Sequence, residues 1–249
     1  MIIRKSAGEI EIMREAGRIS ARALRLVGVA VRPGVTTQEL DEIAETAIRE
    51  DGAVPAFLGY HGYPKTLCTS LNCQVVHGIP SQKVKLAEGD LISVDVGAAI
   101  NGYYGDNAKS FAVGSESPLA ERLLSVTEES LCAGIEACRL GNRLFDIGHS
   151  VQAVAEAGGF SVVREYVGHG IGRAMHEDPN VPNYGKAKTG PVLEVGMVLA
   201  IEPMVNAGGM EVDSLPDGWT VVTSDSSLSA HFEHTVAVTE NGPLILTAE

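Results

Sequence analysis

The feature that most constrains the fold of this 249-residue chain is an internal repeat with a spacing of 107 residues. The segment 86–95 (LAEGDLISVD) resembles the segment 193–202 (LEVGMVLAIE), and the helical stretch after Gly34 matches the stretch after Gly141 at the same spacing. Solenoid repeats are shorter, about 20–50 residues each. The repeat therefore predicts two copies of one α/β unit related by a pseudo-twofold axis.

The best-defined part of the first copy is the segment 91–111, in which an Asn-Gly dipeptide at 101–102 separates two apolar, β-rich runs. Asn-Gly between such runs favours a type I′ turn and therefore a β-hairpin. In that register Asp95 lies opposite Ala108, and Asp106 shares their face of the hairpin. The two carboxylates would then be diagonal neighbours, roughly 7–8 Å apart at Cα.

Two acids on the buried side of a hairpin need a compensating charge. Two unit charges about 4 Å apart repel by about 4 kcal/mol at an effective dielectric of 20. Either something positive lies between Asp95 and Asp106, or one of them caps a turn or faces water, since a slip of one residue reverses the face. The repeat supplies Glu202 and Glu233 as the equivalent pair of the second copy, which favours four carboxylates around one cationic centre.

A glycine-rich segment, 168–176 (GHGIGRAMH), adds histidines to this chemistry. The candidate metal ligands are four carboxylates and one imidazole: Asp95, Asp106, His169, Glu202 and Glu233. Such a set suits two divalent ions of Mn, Fe, Co or Zn, whose charge balances the four acids and which activate water in two-metal hydrolases. His77 and His176 are spare imidazoles that could donate to a developing oxyanion or a leaving nitrogen.

The composition, with 45% hydrophobic and 20% charged residues, fits a soluble globular protein of one domain. A net charge of −13 argues against sequence-independent binding of nucleic acid over the whole surface. The N-terminus has no apolar signal core and no run is long enough to span a bilayer, which favours the cytoplasm. The cysteines form no CxxC pair and suit free thiols in a reducing compartment: Cys68, Cys73, Cys132 and Cys138.

The first helix is predicted from a capping box at Ser6 and Glu9 and should extend to about Leu26. Its apolar stripe follows helical spacing: Ile12, Ala16, Ile19, Ala23 and Leu26. The opposite face carries Arg14, Arg18, Arg22 and Arg25. That face is either a solvated surface or a local dock for RNA, so a contact with the ribosome stays open.

The remaining elements are predicted from capping residues and breakers. They are a helix from Thr36 to about Asp51, short strands at 66–71 and 74–77, helices from Pro118 to about Arg139 and from about Phe145 to Ala157, and strands at 160–163 and 198–201. An aromatic loop at 57–64 holds three rings in a chain with only 5% aromatic residues. It is either a corner of the core or the wall of a pocket for an apolar ligand.

Five motifs together, VDVG, GYYGDNAKSF, GHGIGRAMHEDP, LAIEPM and HFEHTV, resemble the methionine aminopeptidase family in its short bacterial form. The resemblance covers nearly the whole chain. It implies an α/β (α+β) pita-bread fold, with two pseudo-twofold-related α/β halves around a central antiparallel sheet. We expect a single catalytic domain over residues 1–249, with halves at about 1–114 and 115–249. The implied activity is metal-dependent removal of the initiator methionine from nascent proteins, with a preference for a small second residue.

The resemblance also implies roles for individual residues. The five candidate ligands would bind two divalent metals, and Glu202 would also act as general base or proton shuttle. His176 would stabilise the carbonyl oxygen of the scissile bond, and His77 would contact its amide nitrogen. A monovalent cation is implied near Asn72 and Ser229. The methionine side chain would enter a pocket formed by Phe57, Tyr60, His61, Tyr63, Cys68, Met175 and Trp219.

Four positions depart from the commoner residues of the family: Tyr104, Asn107, Met175 and His231. They leave pocket shape, hydrogen bonds behind the ligands and metal preference open. Two alternative functions remain: a pita-bread dipeptidase acting beside proline, and a catalytically silent relative that binds peptides or ribosomes. The complete ligand set argues against the silent relative. The expected partners are N-termini of nascent polypeptides, without a membrane or sequence-specific nucleic acid, and the chain is expected to be a monomer.

Overall fold

A computed structural model describes residues 1–248 of the chain. Its helices are α1 (Ala7–Ala30), α2 (Thr37–Glu50), α3 (Pro118–Ala137) and α4 (Leu144–Ala157), with a short 3-10 helix at Tyr60–Gly62. The first two helices begin with the predicted capping boxes, because the hydroxyls of Ser6 and Thr36 accept from the backbone three residues later. Ser117 caps α3 in the same way, ahead of a proline at the first helical position.

The strands of the described residues are short except for the central hairpin. They are β1 (Val54–Pro55), β2 (Leu67–Leu71), β3 (Gln74–Val76), β4 (Leu91–Ile100), β5 (Tyr103–Ala112), β6 (Ser161–Val162), β7 (Gly168–Gly170), β8 (Glu177–Val181), β9 (Val198–Ile201), β10 (Met204–Asn206), β11 (Val212–Ser214), β12 (Val221–Thr223), β13 (Ser229–His231), β14 (Glu233–Thr239) and β15 (Gly242–Ile245). The main antiparallel sheet has nine strands in the order β1-β4-β5-β14-β9-β7-β8, with β2 beside β4 and β15 beside β14. Two three-stranded sheets, β13-β10-β6 and β11-β12-β3, complete the fold.

The hairpin of β4 and β5 has the register that the sequence predicts. Asp95 pairs with Ala108, and the ladder continues to the last pair before the turn. Asn101 and Gly102 adopt φ values of 52° and 78°, which a type I′ turn requires at both central positions. Asp95 and Asp106 therefore lie on one face of the hairpin, as predicted.

The 107-residue repeat is visible in the backbone conformation. Gly34 and Gly141 have φ values of +89° and +85°, and Gly89 and Gly196 have φ values of +86° and +90°. A positive φ favours glycine, so the two copies use glycine at the same turns for the same reason. Helices α2 and α4 have the same length, 14 residues, and begin and end 107 residues apart.

Hydrogen bonds between equivalent segments repeat as well. An isolated antiparallel bridge joins Thr36 to Lys85 in the first copy, and the equivalent bridge joins Arg143 to Val192 in the second. The predicted duplication of an α/β unit is therefore confirmed down to individual backbone contacts.

In each copy of the repeat, a pair of helices covers the same face of the main sheet. In the first copy α1 and α2 pack on alternate residues of β4, Ile92, Val94 and Val96. In the second copy α3 and α4 pack on Leu199 and Ile201 of β9. Because side chains alternate along a strand, the intervening residues point to the other face of the sheet. That face carries the acids of both copies.

Helix α1 is longer than predicted, ending at Ala30 instead of Leu26. The helix continues through Gly28. A Cβ at this position would come within 2.6 Å of the Phe111 ring, so the glycine allows the helix to pack closely on the sheet. The buried stripe is also wider than predicted. It includes Met13 and Val27, whereas the predicted stripe residues Ile12 and Leu26 are only half-buried. The other predicted helix and strand ends shift by one or two residues.

The arginine face of α1 is solvated and partly neutralised by acids. Arg22 is paired with Glu50 and Asp51, and Arg14 lies 4.0 Å from Glu11. The solvated interpretation of this face is thus supported by local ion pairs.

The four cysteines are free thiols, as predicted. Among residues 1–248, no helix is both long and apolar enough to cross a membrane.

Candidate active site

One cavity of about 190 Å³ collects every residue to which the sequence assigns a role in divalent-metal binding, catalysis or the methionine pocket. It lies at the centre of the main sheet, on the face opposite the helices. Its lining residues are Phe57, Tyr60, His61, Tyr63, Cys68, His77, Asp95, Asp106, His169, Met175, His176, Glu202, Trp219 and Glu233. The two copies of the repeat contribute to the same cavity.

The acids of this cavity come from strands that meet at the pseudo-twofold centre. Asp106 of β5 and Glu233, the first residue of β14, are brought together because β14 pairs with β5 through Glu233 and Ala108. Thr235 fixes this junction: its hydroxyl donates to the carbonyl of Asp106 at 2.9 Å and accepts from the Asp106 N–H at 3.0 Å. Asp95 enters from β4, opposite Cys68 of β2.

Asp106, His169 and Glu233 offer ligand atoms that all lie within 4.8 Å of one another. Glu202 joins this group, with its Oε1 3.5 Å from Nε2 of His169. The His169 ring is oriented by its own backbone, because Nδ1 lies 2.9 Å from the carbonyl of Gly170, which can only accept. The lone pair of Nε2 therefore faces the carboxylates, as a metal-binding imidazole requires.

The four carboxylates have strongly raised pKa values. Burial is the largest cause for each of them, and it raises the pKa of Asp106 to about 7. Repulsion from Asp106 raises the pKa values of Asp95, Glu202 and Glu233 further. Buried acids of one sign need a cation or protons. One buried oxygen of Asp95 and one of Glu233 also lack any hydrogen-bond donor. The donor set and these free oxygens fit a pair of hard divalent ions.

The imidazoles around the acids are held in the neutral form. Burial lowers the pKa of His169 to about 3 and that of His77 to about 4, each with a smaller effect from His176. The His176 ring stacks on Tyr60, with centroids 5.4 Å apart, and its Nδ1 lies 2.9 Å from the tyrosine hydroxyl. The centroid of the His169 ring lies 4.1 Å from that of His176, with the two rings tilted by 44°.

The apolar wall of the cavity is formed by rings, a thiol and a thioether. Tyr63 is anchored by its hydroxyl, which donates to the carbonyls of Leu67 and Gly78, and its ring meets Trp219 edge-on at 5.0 Å. The floor depends on Gly97, because a Cβ there would come within 2.9 Å of the Phe57 ring and 3.3 Å of Cε of Met175. The aromatic loop is therefore a pocket wall and not merely a corner of the core.

His231 is the group that the sequence identified only as a departure and gave no role. It is 1% exposed, its Nε2 has no hydrogen-bond partner, and this atom lies 3.7 Å from Oε2 of Glu202. The Ser110 hydroxyl fixes its backbone, accepting from the N–H and donating to the carbonyl. His231 ends strand β13, two residues before Glu233, and this closeness to a predicted ligand was the signal available in the sequence.

Two other residues singled out in the sequence, Asn72 and Ser229, do not line the cavity. The N–H of Ser229 donates to the carbonyl of Asn72 at 2.9 Å, so the two are direct neighbours. Their side chains already have partners, because Oδ1 of Asn72 accepts from Leu91 and the Ser229 hydroxyl donates to Asn206. The monovalent cation at this place stays a prediction.

Comparison with known proteins places the chain in a family. The family model described as "Metallopeptidase family M24" matches residues 11–240. The chain is 55% identical to a methionine aminopeptidase of Clostridium acetobutylicum and 53% identical to methionine aminopeptidase 1 of Bacillus subtilis, with 99% of each chain covered in both cases. A crystal structure of methionine aminopeptidase from Thermotoga maritima matches with a TM-score of 0.99 and 47% identity over 100% of both chains. The predicted pita-bread fold is confirmed, and the chain belongs to metallopeptidase family M24.

Proposed function

We propose that this protein hydrolyses the first peptide bond of polypeptides that begin with methionine, with a preference for a small second residue. The observation that carries the proposal is the composition of one cavity. A wall of rings and a thioether adjoins four carboxylates, two of them buried and two half-buried, so an apolar side chain and its neighbouring peptide bond can bind at once. A flexible thioether packs well against aromatic rings, which suits a methionine side chain.

The metal ligands that we propose are Asp95, Asp106, His169, Glu202 and Glu233. Two divalent ions, of Mn, Fe, Co or Zn, would balance the charge of the four carboxylates and so offset the burial that raises their pKa values and the repulsion among them. When bound, such ions lower the pKa of water and polarise the carbonyl of the peptide bond. The acidic cavity would also attract the α-amino group of the substrate.

Glu202 is the group that we propose to move protons. One of its oxygens faces the His169 ring and the other faces His231, so the carboxylate lies between two imidazoles. It would accept a proton from the attacking water and return that proton to the leaving amine. The side-chain amide of Asn183 donates to the Glu202 carbonyl at 2.9 Å and holds the backbone at this point.

Two further imidazoles would bind the peptide bond that breaks. If the Tyr60 hydroxyl donates to Nδ1 of His176, Nε2 carries the proton and can donate to the carbonyl oxygen as negative charge develops there. His77 is neutral, because burial lowers its pKa to about 4, and it can contact the amide nitrogen. The preference for a small second residue is carried over from the family, as a consequence of crowding at the cavity rim.

Nascent polypeptides are the substrates that follow from this activity. Contact with the ribosome, a monomeric state, a cytoplasmic location and a single domain with halves near residues 114 and 115 stay predictions. Sedimentation with purified ribosomes and light scattering of the pure protein test the first two.

The experiment is turnover of Met-Ala-Ser by protein loaded with Mn²⁺, Fe²⁺ or Co²⁺, with EDTA as the metal-free comparison. We expect release of free methionine, slower release from Met-Leu-Ser, and none from Ala-Pro. Asp106→Asn should abolish release, whereas Asp213→Asn on the exposed strand β11 should leave it unchanged. Hydrolysis of Ala-Pro alone would establish the proline dipeptidase, and no hydrolysis with any metal would establish the silent relative.

A further inference from the structure

We propose that Lys5 and Glu177 are positioning residues for the reaction, a role that rests on the proposed function. They form a buried ion pair that fixes the segment 171–177, here called the site loop, from outside the cavity. The site loop carries Met175 of the apolar wall and His176 of the peptide-bond site. Neither Lys5 nor Glu177 lines the cavity.

Glu177 clamps the backbone of the site loop. Its Oε1 accepts from the N–H of Arg173 at 2.8 Å and from the N–H of Ala174 at 3.2 Å. Its Oε2 accepts from Nζ of Lys5 at 2.6 Å. One carboxylate thus closes the loop on itself and ties it to a residue 172 positions away. Met175 and His176 lie between the clamped amides and Glu177, so the clamp limits the directions of both side chains.

Lys5 is unusual among the basic residues of this chain. It is 6% exposed, and of the lysines and arginines in residues 1–248 it is the one that is buried. Nζ also donates to the carbonyl of Ile3, and the backbone N–H of Lys5 donates to Gly196. A charge is buried only where it is paired and hydrogen-bonded, and here Glu177 supplies the pair.

The fit around the pair leaves little freedom to the site loop. A Cβ on Gly172 would come within 2.4 Å of Cε of Lys5 and 2.7 Å of Oε1 of Glu177. The loop backbone therefore lies directly on the ion pair. At the other end of the loop, Met175 is 1% exposed and His176 contacts the Tyr60 hydroxyl. A shift of the clamp would move both functional side chains relative to the carboxylates.

A simpler role for the pair would be to fasten the N-terminal segment to the body of the protein. The chain offers a matched control for this alternative in the adjacent residue. Arg4 is paired with Glu194, and this pair is half-exposed and fastens the same segment without contact to the site loop. Substituting Arg4 therefore weakens the fastening while it leaves the clamp intact.

The test compares Lys5→Met, Glu177→Gln, the double variant Lys5→Met/Glu177→Gln and the control Arg4→Met. Hydrogen exchange of metal-free protein reports the amides of Arg173 and Ala174 directly. We expect each single substitution at Lys5 or Glu177 to accelerate exchange of a 171–177 peptide by about 10-fold or more. In the double variant no charge is left unpaired and the glutamine oxygen can still accept, so protection should largely return.

Turnover of Met-Ala-Ser separates positioning from fastening. Each single clamp variant should lose about 10- to 100-fold in kcat/KM, because a misplacement of about 1 Å costs that much, while Mn²⁺ affinity stays within about threefold. Arg4→Met should match the wild type in both measurements. Lower melting temperature with unchanged kcat/KM and unchanged loop exchange would overturn the positioning role. Wild-type protein that fails to release methionine refutes the proposed function instead, and loop exchange still decides whether the clamp exists.

Discussion

Replacing Asp106 with asparagine should stabilise the metal-free protein at alkaline pH and remove its response to metal. Burial raises the pKa of this carboxyl from 3.8 to about 7. Because the pKa in the folded protein lies above that of the unfolded chain, the contribution of Asp106 to stability is fully present below about pH 4. It is lost as the pH rises through 7, where the folded protein must ionise a buried acid among other acids.

The magnitude follows from this pKa difference. Ionising a group whose pKa has risen from 3.8 to about 7 costs about 4 kcal/mol, at about 1.4 kcal/mol per pH unit. Asp95, Glu202 and Glu233 share the repulsion, so the gain on removing one charge should be about 2–4 kcal/mol. For a chain of this size, about 2–4 °C per kcal/mol translates this gain into a rise in Tm of about 4–16 °C at pH 8.

Thermal unfolding followed by circular dichroism, in EDTA or with Mn²⁺, measures both effects at pH 5 and pH 8. The wild type should gain stability from Mn²⁺, since a ligand that binds only the folded state stabilises it, and the variant should not. Asp225→Asn is a control of opposite sign. Hydrogen bonds from Ser227 and Gly209 lower the pKa of Asp225 to about 2, so its loss should lower Tm at pH 8. An Asp106→Asn protein that melts below the wild type in EDTA at pH 8, or that still responds to Mn²⁺, would refute the reasoning.

Three further outcomes follow from the geometry of the cavity. His231→Leu should weaken Mn²⁺ binding by about 10- to 100-fold in calorimetry, whereas His231→Gln, which keeps a donor near Glu202, should bind within a few-fold of the wild type. Gly97→Val should lower kcat/KM for Met-Ala-Ser by about 100-fold at unchanged metal stoichiometry, because its side chain would occupy the space of the Phe57 and Met175 side chains. Met175→Ala should enlarge the pocket beside the apolar wall. It should therefore raise turnover of Phe-Ala-Ser relative to Met-Ala-Ser, measured as a ratio of kcat/KM values.

Much of the fold could be predicted because its signals are local or periodic. The Asn-Gly turn sets the register that places Asp95 opposite Ala108, and a turn of that type requires two residues with positive φ. Capping boxes at Ser6 and Thr36 mark helix starts through hydrogen bonds between residues only three positions apart in the chain. The repeat then predicts Glu202 and Glu233 of the second copy from Asp95 and Asp106 of the first.

The features that could not be predicted depend on contacts between distant residues. The predicted end of α1 at Leu26 falls four residues short, because the sequence does not show that Gly28 packs against Phe111. Lys5 and Glu177 are 172 residues apart in the chain, and each alone resembles an ordinary surface charge. The role of His231 depends on a gap of 3.7 Å to Glu202, which no spacing in the sequence encodes. The resemblance to methionine aminopeptidases, and not periodicity, indicated the pocket residues.

Anomalous X-ray diffraction from a crystal grown with excess Mn²⁺ tests most directly whether the two halves hold a pair of divalent ions between them. We expect two anomalous peaks about 3.5–4 Å apart, bounded by the carboxylates of Asp95, Asp106, Glu202 and Glu233 and by Nε2 of His169. Full-occupancy peaks elsewhere on the protein, with only solvent among these five side chains, would contradict the dinuclear centre and the hydrolysis that we derive from it.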